Sequence, residues 1–439
     1  MRPIQLQFIL LLTIVFFSCK SDNTVIAPSE NNTTQSKPNI LLIIADDMGL
    51  DATPGYNIGS IKPNMPNLES MINTGIRFNN LWSYPVCTPT RSSIITGKYG
   101  YRTGVLSVND ELSTSETSLQ SYIDNTTGNL YNHAVIGKWH LSTNANHPTN
   151  MGVNYYAGLL NGGVQSYTNW NLTENGQTNS STEYTTTKFT DLAIDWISNQ
   201  SQPWFLWLAY NAPHTPFHLP PSELHSQGAL PTDQASIDAN PLPYYMAMIE
   251  AMDTEMGRLL NAMSQEEKEN TIIIFIGDNG TPNQVVQEYP SPRAKGTVYQ
   301  GGVNVPMIIS GKDVMRINDT EDALINTTDL FATISELTGN TVSEINDSKS
   351  FKTLLTTSNT NTRDYVYTEI NTDAGSNNYA IRNATHKYIN LGGINEAFYD
   401  LSTNTVENPN LLNANQLPLS DSNASILNDL IIKLDEIRE

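Results

Sequence analysis

The sequence predicts an α/β fold: a large mixed, mostly parallel sheet flanked by helices, with a smaller C-terminal α+β subdomain of antiparallel sheet plus helix. Three observations carry this. Four apolar runs of strand length lack polar alternation, the pattern of strands buried on both faces of a parallel sheet. Each runs straight into unusual polar residues, and open α/β sheets gather ligand sites at the carboxyl ends of their strands. Beyond about residue 350 the texture changes to short runs of antiparallel-strand character.

The elements follow in order. Met1-Arg2, an apolar run over 8–17 and Ser18-Cys19-Lys20 read as a signal peptide over 1–18 with a bacterial lipobox, Cys19 being the lipidated residue. The run is too short for a spanning helix. Residues 19–36, rich in Ser, Asn, Thr and Asp, read as a lipidated flexible tether. The main domain is expected over 37–350 and the C-terminal subdomain over 351–439. A buried strand over 39–45 ends on Asp46-Asp47. Residues 66–73 have helical spacing, with Gly75 in the place of a helix-terminating glycine. Cys87-Thr88-Pro89-Thr90-Arg91 leads through a Ser/Thr-rich segment into a short apolar helix. A strand over 134–137 ends in Lys138-Trp139-His140, and 182–187 reads as a loop. A strand over 204–209 runs into Asn211-Ala212-Pro213-His214, and 244–263 reads as an amphipathic helix. The fourth apolar strand, 271–276, runs into Gly277-Asp278-Asn279-Gly280, and 329–337 is a further helix. In the tail, 365–370, 379–382 and 386–390 read as strands and 426–438 as a closing helix.

The formal charge of −21 argues against nucleic-acid binding and favours solubility. If such a chain binds an anion, its few cations must converge in one pocket. The chain has two cysteines, and Cys19 belongs to the leader, so Cys87 has no partner for an internal disulfide. A lone thiol is either buried and inert or reactive, and the flanking Pro89 and Arg91 favour reactive.

Asp46, Asp47, Asp278 and Asn279 offer oxygen donors, the preference of a hard cation such as Ca²⁺ or Mg²⁺. Either pair alone reads equally as a helix cap or a turn; both pairs at the ends of buried strands favour the metal. Lys138 and His140, at i and i+2, share a face if the chain stays extended. His214 sits between Pro213 and Pro216 in a loop of restricted shape, and Lys295 precedes Gly296 and Gly301-Gly302, where backbone can approach a ligand. In isolation each Lys or His has an ordinary solvated or structural role.

In order, then, the chain carries a strand ending Asp-Asp, CTPTR, GKWH, APHTPF, GDNG and KGTVYQGGVNVP, with Tyr101-Arg102-Thr103-Gly104 and the late FYDL…ENPNL. Over residues 37–415 this resembles a type I formylglycine-dependent sulfatase, arylsulfatase-like and of the alkaline-phosphatase superfamily, with C-x-P-x-R read at 87–91. The resemblance implies an alkaline-phosphatase-like fold and a hydrolase of sulfate monoesters. It implies that a maturation enzyme converts Cys87 to formylglycine, and that one Ca²⁺ is held by Asp46, Asp47, Asp278, Asn279 and the modified Cys87. Arg91, Lys138, His214 and Lys295 would bind the sulfate group. Asp278 would accept a proton from the hydrated aldehyde as it attacks sulfur. His214, with Lys295, would protonate the leaving oxygen, and His140 would take the proton of the second hydroxyl as sulfate departs. Two departures stand out. Gln300 replaces the usual Glu and Asn304 a common Arg, which bears on substrate preference rather than chemistry. A lipid-anchored acidic sulfatase, in the periplasm or on the outer-membrane surface, suits removal of sulfate from external polysaccharide or oligosaccharide. Sugar subsites are expected in the loops 161–170 and 218–230. Two other readings compete. Lys138, His140 and Lys295 disfavour a phosphodiesterase or phosphonate monoester hydrolase of the same superfamily, and the complete set of core residues disfavours a non-catalytic glycan-binding lipoprotein.

Overall fold

In the computed structural model, which describes residues 37–439 apart from 109, 359, 361, 373, 374 and 394, the run Asn39–Ala45 forms β1, every residue of it buried. The leader, Cys19 and the tether lie outside the described residues. Further strands are β2 (Gly75–Trp82), β3 (Asn132–Lys138), β4 (Tyr155–Leu159), β5 (Trp170–Glu174), β6 (Gln177–Ser181), β7 (Trp204–Ala209), β8 (Thr271–Gly277), β9 (Asn304–Gly311), β10 (Asp319–Glu321) and β11 (Ile325–Asn326). They form one sheet in the order β10-β2-β9-β8-β1-β7-β3-β4-β5-β6, with β11 beside β2. Its centre, β8-β1-β7-β3-β4, is parallel throughout, and β9, β5 and β6 run antiparallel to their neighbours.

Strand alternation explains the layers. Leu41 and Ile43 of β1 face one core with Leu206, Leu208, Ile273 and Phe275, covered by helices Thr185–Ser198 and Leu242–Ala262. Ile40, Leu42 and Ile44 face a second core with Phe205, Trp207, Ile272 and Ile274, covered by helices Cys87–Thr96, Leu119–Thr127 and Asp329–Leu337. Each fully buried aliphatic side chain contributes about 1.5–3 kcal/mol, so covering both faces commits these strands to the interior.

The structure corrects three expectations. Helix Pro66–Thr74 does not end on a left-handed glycine: Gly75 has φ −146° and begins β2 at once. Glycine is needed there because an added Cβ would lie 2.1 Å from the Ile309 carbonyl oxygen of β9. The expected loop 182–187 is cut short because Thr185 already starts a helix, its Thr-rich first turn being followed by the apolar positions Phe189, Ala193 and Ile197 that reach the core. His140 has φ 52°, so the chain leaves the extended state just beyond β3 and Lys138 and His140 do not share a strand face.

A hairpin of β12 (Glu344–Ile345) and β13 (Ser348–Lys349) precedes the C-terminal sheet. That sheet is β14 (Val366–Asn371), β15 (Asn377–Arg382), β16 (His386–Leu391) and β17 (Asn395–Asp400), antiparallel in sequence order. Helix Asp421–Arg438, capped by Ser420, packs Leu430 and Leu434 against Ile381, Tyr388 and Phe398 on one face. The other face packs Val366, Ala380 and Ile389 against Trp82, Val298 and Val303.

Candidate active site

The parallel register puts Ala45 opposite Gly277 and Ala209 opposite both Ile44 and Gly137, so four strands deliver their next residues to one edge. Backbone bonds from Asp46 N to the Ala212 carbonyl and from Asp278 N to the Ala45 carbonyl, both 3.1 Å, tie those segments together. Asp46, Asp47, Asp278 and Asn279 are all buried. Asp278 Oδ1 accepts from the Asp47 amide at 3.0 Å, and Asn279 Nδ2 donates to Asp47 Oδ1 at 2.8 Å.

Three cations meet these three carboxylates. Lys138 Nζ donates to Asp46 Oδ2 at 2.6 Å. Arg91 Nη2 donates to Asp278 Oδ2 at 2.8 Å and Nη1 to the Lys138 carbonyl at 2.8 Å. Lys295 Nζ lies 2.6 Å from the Asp47 carboxylate. Arg91 and Lys138 are fully buried, which so strong a pairing permits. Cys87 is the first residue of its helix, where unpaired backbone N–H groups carry partial positive charge. Its Sγ lies 3.1 Å from His140 Nδ1. His214 Nδ1 donates to the Thr215 carbonyl at 2.8 Å, which leaves Nε2 free, 3.7 Å from Asp47 Oδ2.

The charges follow from this geometry. Burial would raise the Asp47 carboxyl, but Lys295, His214 and Lys138 outweigh it and hold Asp47 well below the usual carboxylate range. Burial and the neighbouring Asp46 push Asp278 up to about 6 against the pull of Arg91 and Lys138. Burial, Lys138 and Arg91 hold His140 well below the ordinary imidazole value, so it is neutral near neutral pH. Burial opposes the Lys295 charge, but Asp47 and Cys87 more than restore it.

The donor set has the chemistry of a hard-cation site. Among the described residues Asp46 Oδ1 and Asn279 Oδ1 are buried without a hydrogen-bond partner. Ligand atoms of Asp46, Cys87 and Asp278 lie within 4.8 Å of one another, as do those of Asp46, Asp47 and His214. A divalent cation would satisfy the orphaned oxygens and relieve the repulsion that raises Asp278.

Every site residue singled out in 37–439 thus lies at one edge of the sheet. Gln300 and Asn304 are buried: the Gln300 backbone amide donates to Glu407 Oε2 and Asn304 Nδ2 to the Asn79 carbonyl, while among the described residues Gln300 Oε1 and Asn304 Oδ1 have no hydrogen-bond partner. Several supporting residues escape sequence reasoning. Gly162 and Gly163 press on both histidines: an added Cβ would lie 2.4 Å from His140 Cε1 or 3.2 Å from His214 Cε1. Tyr167 is buried rather than exposed in a sugar subsite, and its hydroxyl clamps the His214 loop at the Asn211 and His214 carbonyls, 2.8 and 2.6 Å away. Tyr245 donates to the Asp47 carbonyl at 2.8 Å. Asp47 and His140, at φ 71° and 52°, hold left-handed backbone, a strain on the order of 1–3 kcal/mol that gathers at functional sites.

A protein-family model described as Sulfatase matches residues 38–340. The chain is similar to "Uncharacterized sulfatase YdeN" of Escherichia coli (strain K12), 27% identical over 363 residues, 68% of this chain and 62% of that protein. The chain therefore spans less than two thirds of the length of this relative. Among solved structures it resembles Ps i-CgsB in complex with k-i-k-neocarrahexaose, with a TM-score of 0.77 and 24% identity over 91% of this chain and 92% of that one. It also resembles BT4656 in complex with its substrate D-glucosamine-2-N,6-O-disulfate, with a TM-score of 0.74 and 18% identity over 92% and 98%. At these identities the structural likeness is one of fold.

Proposed function

The chain belongs to the sulfatase family, and from that premise we propose that it hydrolyses sulfate monoesters of a sulfated oligosaccharide or polysaccharide. One observation carries the reading: in a chain of formal charge −21, Arg91, Lys138 and Lys295 converge with two histidines on one pocket beside Cys87. Cleavage of a sulfate ester moves negative charge onto the bridging oxygen, and fixed cations in a water-poor site offset it. The sugar class is supported by the sulfated substrate named for BT4656 and the k-i-k-neocarrahexaose in the Ps i-CgsB complex.

In this reading a maturation enzyme oxidises Cys87 to formylglycine, whose hydrated form supplies the nucleophilic hydroxyl; Cys87 Sγ stands in for those oxygens. His140, neutral and 3.1 Å from Sγ, is placed to take a proton from residue 87. His214 keeps Nδ1–H on Thr215 and turns Nε2 toward the site, so in its imidazolium form it would present Nε2–H to the leaving oxygen, with Lys295 as the neighbouring donor. Asp278, buried at this edge with its carboxylate held by Arg91, is the group placed to accept a proton from the attacking hydroxyl. Asp46, Asp47, Asp278 and Asn279, with residue 87, would hold one Ca²⁺. When bound it supplies Lewis-acid charge stabilisation and lowers the pKa of a coordinated hydroxyl.

The leader, Cys19 and the polar tether support export and lipid anchoring to a bacterial membrane, in the periplasm or on the outer-membrane surface. Among the described residues no helix is long and apolar enough to cross a membrane. The test is sulfate release from nitrophenyl sulfate by matured protein and by Cys87→Ala, with mass spectrometry of the peptide containing residue 87. Loss of thiol mass, gain of an aldehyde and activity confined to the parent are expected; undiminished release by Cys87→Ala would sink the reading.

A further inference from the structure

We infer that the cavities around the sulfate pocket select sparsely sulfated sugar: the ring bearing the ester to be cleaved, flanked by positions that carry no second sulfate. This rests on the sulfatase reading above and deepens it to a substrate class.

Three cavities flank the site. One of about 250 Å³ reaches His140 and shares Thr143, Leu160 and Asn161 with a second of about 530 Å³, so the two form one trough leading away from the histidine. A third, of about 580 Å³, begins on the other side at Thr215, next to His214. The two larger volumes lie in the range of small-ligand sites. Among the described residues no Lys or Arg lines any of them. The trough offers amides and hydroxyls instead: Asn161, Gln165, Asn169, Asn171, Thr143 and Thr178. Such neutral groups hydrogen-bond sugar hydroxyls without favouring an anion.

The charges that are present carry the wrong sign for a second sulfate. Asp110 and Glu111 line the trough near His140, and Asp238 lines the cavity beyond Thr215. The site's own cations are committed: Lys138 to Asp46, Lys295 to Asp47 and Arg91 to Asp278. Glu111 and Asp238 are exposed, and their carboxylates accept from Ser142 Oγ and Gln234 Nε2, neutral donors that cancel no charge. A sulfate seated in either cavity would therefore meet like charge, with the field of a chain of formal charge −21 behind it.

The test is kcat/KM on oligosaccharides of defined linkage and uncharged backbone, each carrying one sulfate ester and paired with its analogue bearing a second sulfate on the same or adjacent ring. Nitrophenyl sulfate is run alongside. The singly sulfated member is expected to be preferred by roughly tenfold at low ionic strength, with the gap closing as salt screens the repulsion. Glu111→Lys should narrow the gap without adding any contact to the sulfate pocket. Equal or faster hydrolysis of the doubly sulfated members overturns the inference while the sulfatase reading stands. Turnover of nitrophenyl sulfate with none of any oligosaccharide overturns the cavities as sugar sites. Failure of folded, aldehyde-bearing protein on every substrate overturns the sulfatase reading itself.

Discussion

Gly162 shows how a residue without a side chain can control the site. Its Cα faces the His140 ring so closely that a Cβ would lie 2.4 Å from Cε1 and 2.5 Å from Nε2. The ring must then give way, and His140 Nδ1 loses its place 3.1 Å from residue 87. Gly162→Ala is expected to lower kcat by about 10²-fold, the lower end of a general acid–base contribution, while the unfolding temperature moves little. Parent-like kcat in a correctly folded variant would show that the ring's position is not set by this contact. Neither Gly162 nor the His140 backbone carries a local signature. GKWH announces two basic residues, but the turn that sends Lys138 to Asp46 and His140 to Cys87 exists only because β4 lies beside β3, with His140 N bonded to the Leu160 carbonyl at 3.1 Å.

At the scale of an element, the loop after β7 carries a pH-dependent weakness. His218 packs against Tyr167 and Tyr184, with ring centroids 4.2 and 5.6 Å away, and its Nε2 lies 3.1 Å from the Tyr184 hydroxyl. Burial holds its imidazole down to about 4, against a weaker opposing pull from the Pro216 carbonyl. Between pH 4 and 6.5 the unfolded chain therefore binds a proton that the folded chain refuses, and unfolding becomes easier as pH falls through that window. The full effect is about 3 kcal/mol. Urea denaturation of the parent should show stability falling from pH 6.5 toward 4, and His218→Gln should flatten that slope. An unchanged slope would rule out His218 as its source. A second element-scale device ties the C-terminal sheet to the Lys295 segment. Lys387 of β16 and Glu407 form a fully buried pair at 2.6 Å, and Glu407 also accepts from Gln300 N and, through its carbonyl, from Arg293. Glu407→Ala leaves Lys387 buried without a counter-charge, a loss of about 3–5 kcal/mol. It should appear as a lower denaturation midpoint, and Glu407→Ala combined with Lys387→Met should recover part of it. A single-variant loss below about 1 kcal/mol would mean the pair is worth no more than an exposed one.

For the whole molecule, β1 and β8 end on three buried carboxylates matched by three buried or half-buried cations, a balance that among the described residues leaves Asp46 Oδ1 and Asn279 Oδ1 without partners. A cation bound only by the folded state stabilises it, by about 2.7 kcal/mol at a hundredfold excess over Kd. Ca²⁺ should therefore raise the unfolding temperature, chelator should reverse the rise, and Asn279→Ala should shrink it. A melting curve indifferent to Ca²⁺ would remove the metal from this site.

The sequence alone determined the central strands and the chemistry at their ends. An apolar run such as Asn39–Ala45 and the carboxylates that follow it are neighbours in the chain, so their pattern is local. The same holds for Trp204–Ala209 and Thr271–Gly277. Strands whose burial depends on partners were not legible in this way: β6, QTNSS, is polar and largely exposed and exists only by pairing with β5. Only the tertiary structure decided which cation meets which carboxylate, that Tyr167 supports the His214 loop instead of facing sugar, and that Tyr245 holds Asp47 from 198 residues away. Those contacts join segments with no sequence relation to one another. Burial supplies the low dielectric that makes them strong, and burial is a property of the assembled layers rather than of any one stretch of chain.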